Sequence, residues 1–341
     1  MKKLLNTLYV VQENAYLSRE SDNIVIKVEG KTIARYPYRI IESIICFSYV
    51  GISPSLMSLC VTHSINLSIH NPRGQFLCRI IGKTNGNVLL RREQYRLADS
   101  DQTLEYAKRF IISKISNSRK YVLRFKRDHK TQVNVNLFEA VNNDLLLSLE
   151  NIKIAKTKDE LRGFEGAAAS SYFCLVNDIV LKNKNVFHFN GRSKRPPMDC
   201  VNALLSFGYS LLTTDCQSAI EAVGLDSYVG FFHTDRPGRA GLALDLVEEF
   251  RNYIVDRLVF SMINNEQLNS KHFEIKENGS VLLNDIGRKI FLEEWQRKKH
   301  IVVEHPFTGE KVKMMLLPYV QAQLLAKAIR GELPSYPPFM I

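Results

Sequence analysis

The sequence predicts an α+β chain: an N-terminal β-rich domain followed by a larger all-α domain. Two patterns predict it. Through the first eighty or so residues, short runs of β-branched and aromatic side chains alternate with turn signals, and from Asn87 onward the apolar positions fall at helical intervals. The predicted division is 1–86 for the β-rich domain, 87–100 for a connecting helix, and 101–341 for the helical domain. A chain of 341 residues that is 45% hydrophobic and 24% charged can fill two cores.

Residues 4–11, 15–19, 24–28, 41–47, 65–70 and 76–80 read as strands, separated by turns such as Glu29-Gly30 and Asn71-Pro72-Arg73-Gly74. One helix interrupts them, because Ser53 offers an N-cap and Pro54 suits the first helical position. His63 and His70 sit among apolar neighbours and read as packed or surface histidines. Exposed strand edges would suit pairing with a second copy of the chain. Beyond the connector, Asp101 is expected to cap a long helix with Leu104, Phe110, Ile111, Ile115, Val122 and Phe125 on its apolar face. Further helices are expected over 137–149, around Glu165, after the Asp199 N-cap, over 241–258 and over 318–330. The proline-rich end, 334–341, reads as an extended tail suited to docking.

The net charge of +11 makes a polyanion the leading partner class, because Lys and Arg that neutralise phosphates release counterions. No apolar run reaches spanning length and the start lacks a signal-type stretch, so a cytoplasmic protein is expected. The six cysteines include no C-x-x-C pair, which argues against a zinc site or a disulfide framework.

Chemistry concentrates in residues 231–256. His233 precedes a Pro-Gly-Arg-Ala-Gly loop and then a helix with Val247, Phe250, Ile254 and Leu258 on one face. Asp245, Glu248, Glu249, Asn252 and Asp256 share the other. Asp245 and Glu248 are three apart, close enough to share a hard divalent ion; a solvated acidic face with a loop histidine is the plain alternative. Glu165 stands on a helix of small residues, Ala167, Ala168, Ala169 and Ser170, where a carboxylate is costly unless protonated, paired or bound to metal. An arginine salt bridge is the competing explanation there. Asn202, Ser206 and Tyr209 form a polar line on an otherwise apolar helix and could hold a phosphate or support the acidic site.

Basic clusters mark candidate nucleic-acid contacts. Arg119, Lys120, Arg124, Lys126 and Arg127 interleave with Tyr121 and Phe125; Arg192 and Arg195 lie in a loop; Arg288 and Lys289 lie near Phe291 and Trp295. Arg236 and Arg239 lie in the loop beside His233.

Four stretches together resemble one family, the CRISPR adaptation integrase, CRISPR-associated protein one. They are Arg162-Gly-Phe-Glu165-Gly-Ala-Ala-Ala, Arg195-Pro-Pro-Met-Asp199-Cys-Val-Asn202-Ala-Leu-Leu-Ser206-Phe-Gly-Tyr209, Gly230-Phe-Phe-His233 and Asp245-Leu-Val-Glu248-Glu-Phe-Arg251. The tail is most similar to members of subtype I-C. The resemblance implies a β domain for homodimerisation and a helical catalytic domain. Its metal, Mg²⁺ or Mn²⁺, would be held by Glu165, His233 and Glu248, with Asp245 the other acid of the helix. Because the intervening loop varies in length within the family, the choice among Asp245, Glu248 and Glu249 stays open. It further implies double-stranded DNA as substrate, with a 3′ hydroxyl of a short fragment attacking a phosphodiester of the CRISPR repeat, and no nucleotide cofactor. A small ferredoxin-like subunit and an iron-sulfur exonuclease are the implied partners. A non-catalytic basic DNA scaffold, or a nuclease selective for branched DNA using the same residues, are the rival readings.

Overall fold

The computed structural model describes residues 6–63, 65–71, 76–80, 82, 88–193 and 196–341. Arg195, the turn residues 72–74 and the first residue of the expected connector, Asn87, lie outside the described residues. Residues 1–85 with 285–296 make one compact unit, and 86–284 with 297–341 make another. The units therefore do not follow the linear division, since a stretch from late in the chain groups with the first.

The first unit carries β1 (Asn6–Val10), β2 (Ala15–Glu20), β3 (Asn23–Val28), β4 (Lys31–Pro37), β5 (Ile41–Cys46), β6 (Gly51–Ile52), α1 (Pro54–Thr62), β7 (Asn66–His70) and β8 (Phe76–Ile80). Two four-stranded sheets form, ordered β1-β5-β7-β8 and β4-β3-β2-β6. In β2 the period-two alternation buries Ala15 and Leu17 and turns Tyr16 outward, and Leu17 pairs with Ile26 across the antiparallel ladder. Those residues join Ile24, Ile44, Leu56, Leu59 and Leu67 in one core. Ser53 caps α1 as expected, accepting from Leu56 N at 3.3 Å. The edge strand β4 escaped the sequence reading because it buries nothing: its Lys, Thr and Arg positions are exposed almost throughout.

The second unit opens with α2 (Val88–Ala98), α3 (Thr103–Asp128), α4 (Val135–Ile154), α5 (Lys158–Cys174), α6 (Val176–Ile179), α7 (Cys200–Ala222), α8 (Gly241–Phe250) and α9 (Arg257–Asn264). The helix expected as a connector is anchored here: the Gln94 amide of α2 donates to Asp226 O at 2.8 Å and Val229 O at 2.9 Å, in the loop leading to His233. Asp199 caps α7, accepting from Asn202 N at 2.7 Å. Asp101 does not cap α3; the N-cap position is Gln102 and no side chain fills that role. A hairpin of β9 (Phe273–Ile275) and β10 (Val281–Leu283) follows; after α10 (Asp285–Lys299), whose residues 285–296 group with the first unit, come a second hairpin of β11 (Val302–Glu304) and β12 (Lys311–Lys313), and α11 (Leu317–Ile329). The expected all-α domain is thus helical apart from two hairpins, whose three-residue strands are too short to show alternation in sequence. The tail packs against its own unit, with Tyr336 and Phe339 buried. No helix among the described residues is long and apolar enough to cross a membrane.

Between α8 and α9, residues Arg251–Asp256 form a π-helix. On an α-helix residues five apart point about 140° away from each other. The wider turn, closed by i→i+5 bonds, brings them onto one side. Accordingly both Arg251 and Asp256 reach Tyr209: the guanidinium lies 4.4 Å from the ring centroid, and the Tyr209 hydroxyl donates to Asp256 Oδ1 at 2.5 Å.

Candidate active site

His233 is brought back onto the start of α8 by backbone bonds. Gly241 N donates to Tyr228 O at 3.1 Å and Leu242 N to Ser227 O at 3.0 Å. The approach requires glycine, since a Cβ on Gly230 would lie 2.8 Å from Asp245 Oδ2 and 2.8 Å from the Gly241 carbonyl carbon. Asp245, fully buried, serves this loop. Its Oδ2 accepts from Phe231 N at 2.6 Å and Phe232 N at 3.0 Å, and its Oδ1 from His233 N at 2.9 Å and His233 Nδ1 at 2.6 Å. An aspartate with its oxygens so occupied has little left to offer a cation. Its bond to Nδ1 fixes the tautomer that leaves the Nε2 lone pair free, the arrangement usual for a metal-binding imidazole.

Glu165 on α5 and Glu248 on α8 converge. The Lys114 ammonium, from α3, donates to Glu165 Oε1 and stands 2.8 Å from Glu248 Oε2. Arg251 adds two bonds of 2.9 Å to Glu248. Burial pushes the Glu248 carboxyl up, but Arg251, Lys114 and His233 outweigh it and hold the group far below the ordinary carboxylate range. Two carboxylates from separate helices therefore meet at a point where a cation sits, with an oriented imidazole close enough to act on one of them. Among the described residues no three His, Cys, Asp or Glu side chains close into a metal-sized cluster; the Lys114 ammonium stands where the two carboxylates meet. The oxygen-rich donor set with one imidazole fits a hard divalent ion there.

Glu249, left open beside Glu248 in the sequence reading, points elsewhere. It accepts from Tyr336 Oη at 2.6 Å, Gln321 Nε2 at 2.8 Å and Phe339 N at 2.8 Å. The acids expected to form one stripe are all buried, and each has separate partners. Asp256 accepts from Tyr209 and from Asn252 Nδ2 at 3.3 Å, and burial raises its carboxyl despite those bonds.

The polar line on α7 is divided as well. Asn202 Oδ1 accepts from Arg192 Nη1 at 2.6 Å, and Ser206 Oγ lies 3.4 Å from the same guanidinium, which covers Tyr209 with its carbon 5.5 Å from the ring centroid. Arg192, expected at a DNA surface, is thus turned inward. Arg236 is exposed and Arg239 half-buried, in the turn closed by Arg239 N to Arg236 O at 3.0 Å.

Of the basic candidates on α3, Lys120, Arg124 and Arg127 line a groove of about 620 Å³ with Leu123, Tyr253, Arg257 and Ile341. Asp128 pairs with Arg124 and Arg127. Lys126 instead pairs with Glu139 at 3.3 Å, and the Arg119 Nε is buried. Arg288 pairs with Asp285 and Lys289 is exposed, both within the first unit. Lys114 and Arg257 were missed in the sequence. The signal for Lys114 was present: it falls four residues after Phe110 and one before Ile115, inside the buried stripe of α3, where a lone charge needs a partner.

Residues 8–297 match the family described as CRISPR associated protein Cas1. A CRISPR-associated endonuclease Cas1 of Chlorobaculum tepidum is 43% identical over 341 residues, covering 100% of this chain and 99% of that protein. A CRISPR-associated exonuclease Cas4/endonuclease Cas1 fusion of Geobacter sulfurreducens is 32% identical over 98% of this chain and 60% of its own length. Among solved structures, a casposase bound to integration product superimposes with a TM-score of 0.85 at 26% identity, over 98% of this chain and 93% of that one. A Cas6-RT-Cas1–Cas2 complex has a TM-score of 0.83 at 21% identity, over 100% of this chain and 36% of that one.

Proposed function

The chain belongs to the Cas1 family of CRISPR-associated proteins, and from that premise we propose that it is the DNA integrase/endonuclease of CRISPR adaptation. The observation that carries the chemistry is the convergence of Glu165 and Glu248 on one cation position, beside an imidazole that Asp245 holds with Nε2 free. Glu165, Glu248 and His233 would hold Mg²⁺ or Mn²⁺. Bound there, such an ion would supply Lewis acidity for phosphodiester chemistry.

The reaction is a transesterification: the 3′ oxygen of a short DNA fragment forms a bond to phosphorus, the bridging P–O bond of the repeat strand breaks, and the attacking proton ends on the released hydroxyl. One phosphodiester replaces another, so no nucleotide cofactor is consumed. Asp245 fixes the imidazole, Arg251 keeps Glu248 ionised, and Asn202, Ser206 and Tyr209 act through Arg192 and Arg251 to fix the floor of the site. Arg236 and Arg239 approach the phosphate from the loop. The groove of Lys120, Arg124, Arg127 and Arg257 takes the DNA backbone, supported by its basic lining and by the stacking face of Tyr253.

The names of the relatives support a Cas2 subunit and a Cas4 exonuclease as partners; a small ferredoxin-like fold for the one and an iron-sulfur cluster in the other are what the family resemblance implies. Homodimerisation through the first unit is supported by the exposed edge of β4 and by outward Tyr16, Ile33 and Tyr36. The tail supports subtype I-C, and the cytoplasm is the compartment where such a machine meets the repeat array.

The test is a fluorescent strand-transfer assay with Mg²⁺, Mn²⁺ or EDTA. Joined product that vanishes with EDTA is expected, and Glu165→Ala or His233→Ala should abolish joining while DNA binding stays nearly intact. Cleavage without joining would make the protein a branched-DNA nuclease. DNA binding with neither would make it a scaffold, and an active His233→Ala protein would dismiss the assigned site.

A further inference from the structure

The Lys114 ammonium stands between Glu165 and Glu248, where the two carboxylates would otherwise repel across a largely buried gap. Its side chain is only 11% exposed. With Arg251, it balances the pocket: two carboxylates against one ammonium and one guanidinium. A dication added to that balanced set would leave a large uncompensated charge out of water, which is costly. Expulsion of the ammonium lowers that excess. There is a place for it to go, because Lys114 also lines a small cavity of about 20 Å³ with Ser118, Tyr172, Tyr209 and Asp256. A space of that size holds about one water-sized group, and the Asp256 carboxylate there is an acceptor for a cation on a flexible four-carbon stem.

We propose that Lys114 is a resident counter-cation that keeps Glu165 and Glu248 facing one another, and that a divalent ion binds by exchange with its ammonium, which withdraws into the cavity beside Asp256. This rests on the metal-site reading above and adds to it a positioning residue that sets metal affinity. The residue holds the ligands in register before the ion arrives and competes with it for them.

Mn²⁺ binding to the full chain is measured by electron paramagnetic resonance, alongside thermal melting with and without Mn²⁺, for wild type, Lys114→Met and Lys114→Arg. Lys114→Met is expected to bind Mn²⁺ roughly tenfold or more tightly than wild type. Its metal-free form should melt lower, and Mn²⁺ should raise that melting point by more than it raises the wild type's. Lys114→Arg, whose forked guanidinium is harder to displace from two carboxylates, is expected to bind more weakly. If wild type binds Mn²⁺ and Lys114→Met binds no tighter, or Lys114→Arg no more weakly, the exchange is refuted. Should Lys114→Met fail to fold, the Lys114→Arg comparison decides alone. Absence of Mn²⁺ binding in wild type and variants alike would instead overturn the metal-site reading, and the exchange with it.

Discussion

Glu248 and Glu249 are neighbours on α8 and both are buried, yet they are held by opposite means. Glu248 faces cations, Lys114 and Arg251, which keep its carboxyl ionised against burial. Glu249, turned about 100° around the helix, meets only neutral donors: the Tyr336 hydroxyl, the Gln321 amide and the Phe339 backbone N–H. Burial pushes its carboxyl up to about 7, against the pull of those bonds. One carboxyl is therefore poised to bind a cation and the other ties down the chain's last segment. Position on the helix does not distinguish them in kind; their surroundings do.

Converting each glutamate to glutamine pulls the two apart most strongly. Glu248→Gln strips the counter-charge from two buried cations, costing about 3–5 kcal/mol of stability, and strand transfer per folded molecule should drop by about 10³-fold or more. Glu249→Gln should leave strand transfer within about threefold of wild type, as expected of a residue that makes no contact with the reacting groups. Equal losses in a quantitative joining assay would erase the distinction.

The segment around Tyr336 and Phe339, tied down by Glu249, forms a strap against α8 and gives the second contrast with Glu248. Phe339 packs 5.1 Å from Phe250 and 5.2 Å from Tyr253, ring centroid to ring centroid, and its carbonyl accepts from Asn117 Nδ2 at 2.9 Å. Phe339→Ala should cost about 3–5 kcal/mol in urea denaturation, with Mn²⁺ affinity of the folded fraction unchanged. A matching loss of affinity would show that the strap and the cation site are one unit.

The smallest effect is the pH dependence of Glu249. Its folded pKa of about 7 lies above the ordinary 4.5, so between those values the unfolded chain has released the proton while the folded chain keeps it. Stability from this group is therefore highest below about pH 4.5, falls as pH rises toward about 7, and is flat beyond. Denaturation midpoints at about pH 5 and about pH 8 should differ more in wild type than in Glu249→Gln. No difference between the two proteins would place Glu249 among ordinary surface-like acids.

The legible parts of the fold were those written locally. Ser53-Pro54 and Asp199 announced the helices they cap, and the alternation of Ala15 and Leu17 announced β2. Glu165 and His233 stood out as candidates because small residues around one, and a glycine-bounded loop after the other, are unusual choices for ordinary surface positions. The rest depended on contacts distant in sequence. Lys114 meets Glu165 across 51 positions and Glu249 meets Phe339 across 90, so nothing near either residue disclosed its partner. The acids of α8 suggested an exposed stripe because helical periodicity separates polar from apolar faces without saying which polar face is packed. Residues 285–296 grouped with the first unit for the same reason: return across two hundred positions leaves no local trace.

The π-helical turn at Arg251–Asp256 has a genetic consequence. The wider turn absorbs one residue more than an α-helix would, so loss of a single codon within it would let the ordinary α-helix run through with every later residue to Asn264 kept nearly in phase. Arg251 and Asp256 would then stand four apart on one face, still together at Tyr209. The segment should tolerate shortening by one residue far better than lengthening by one.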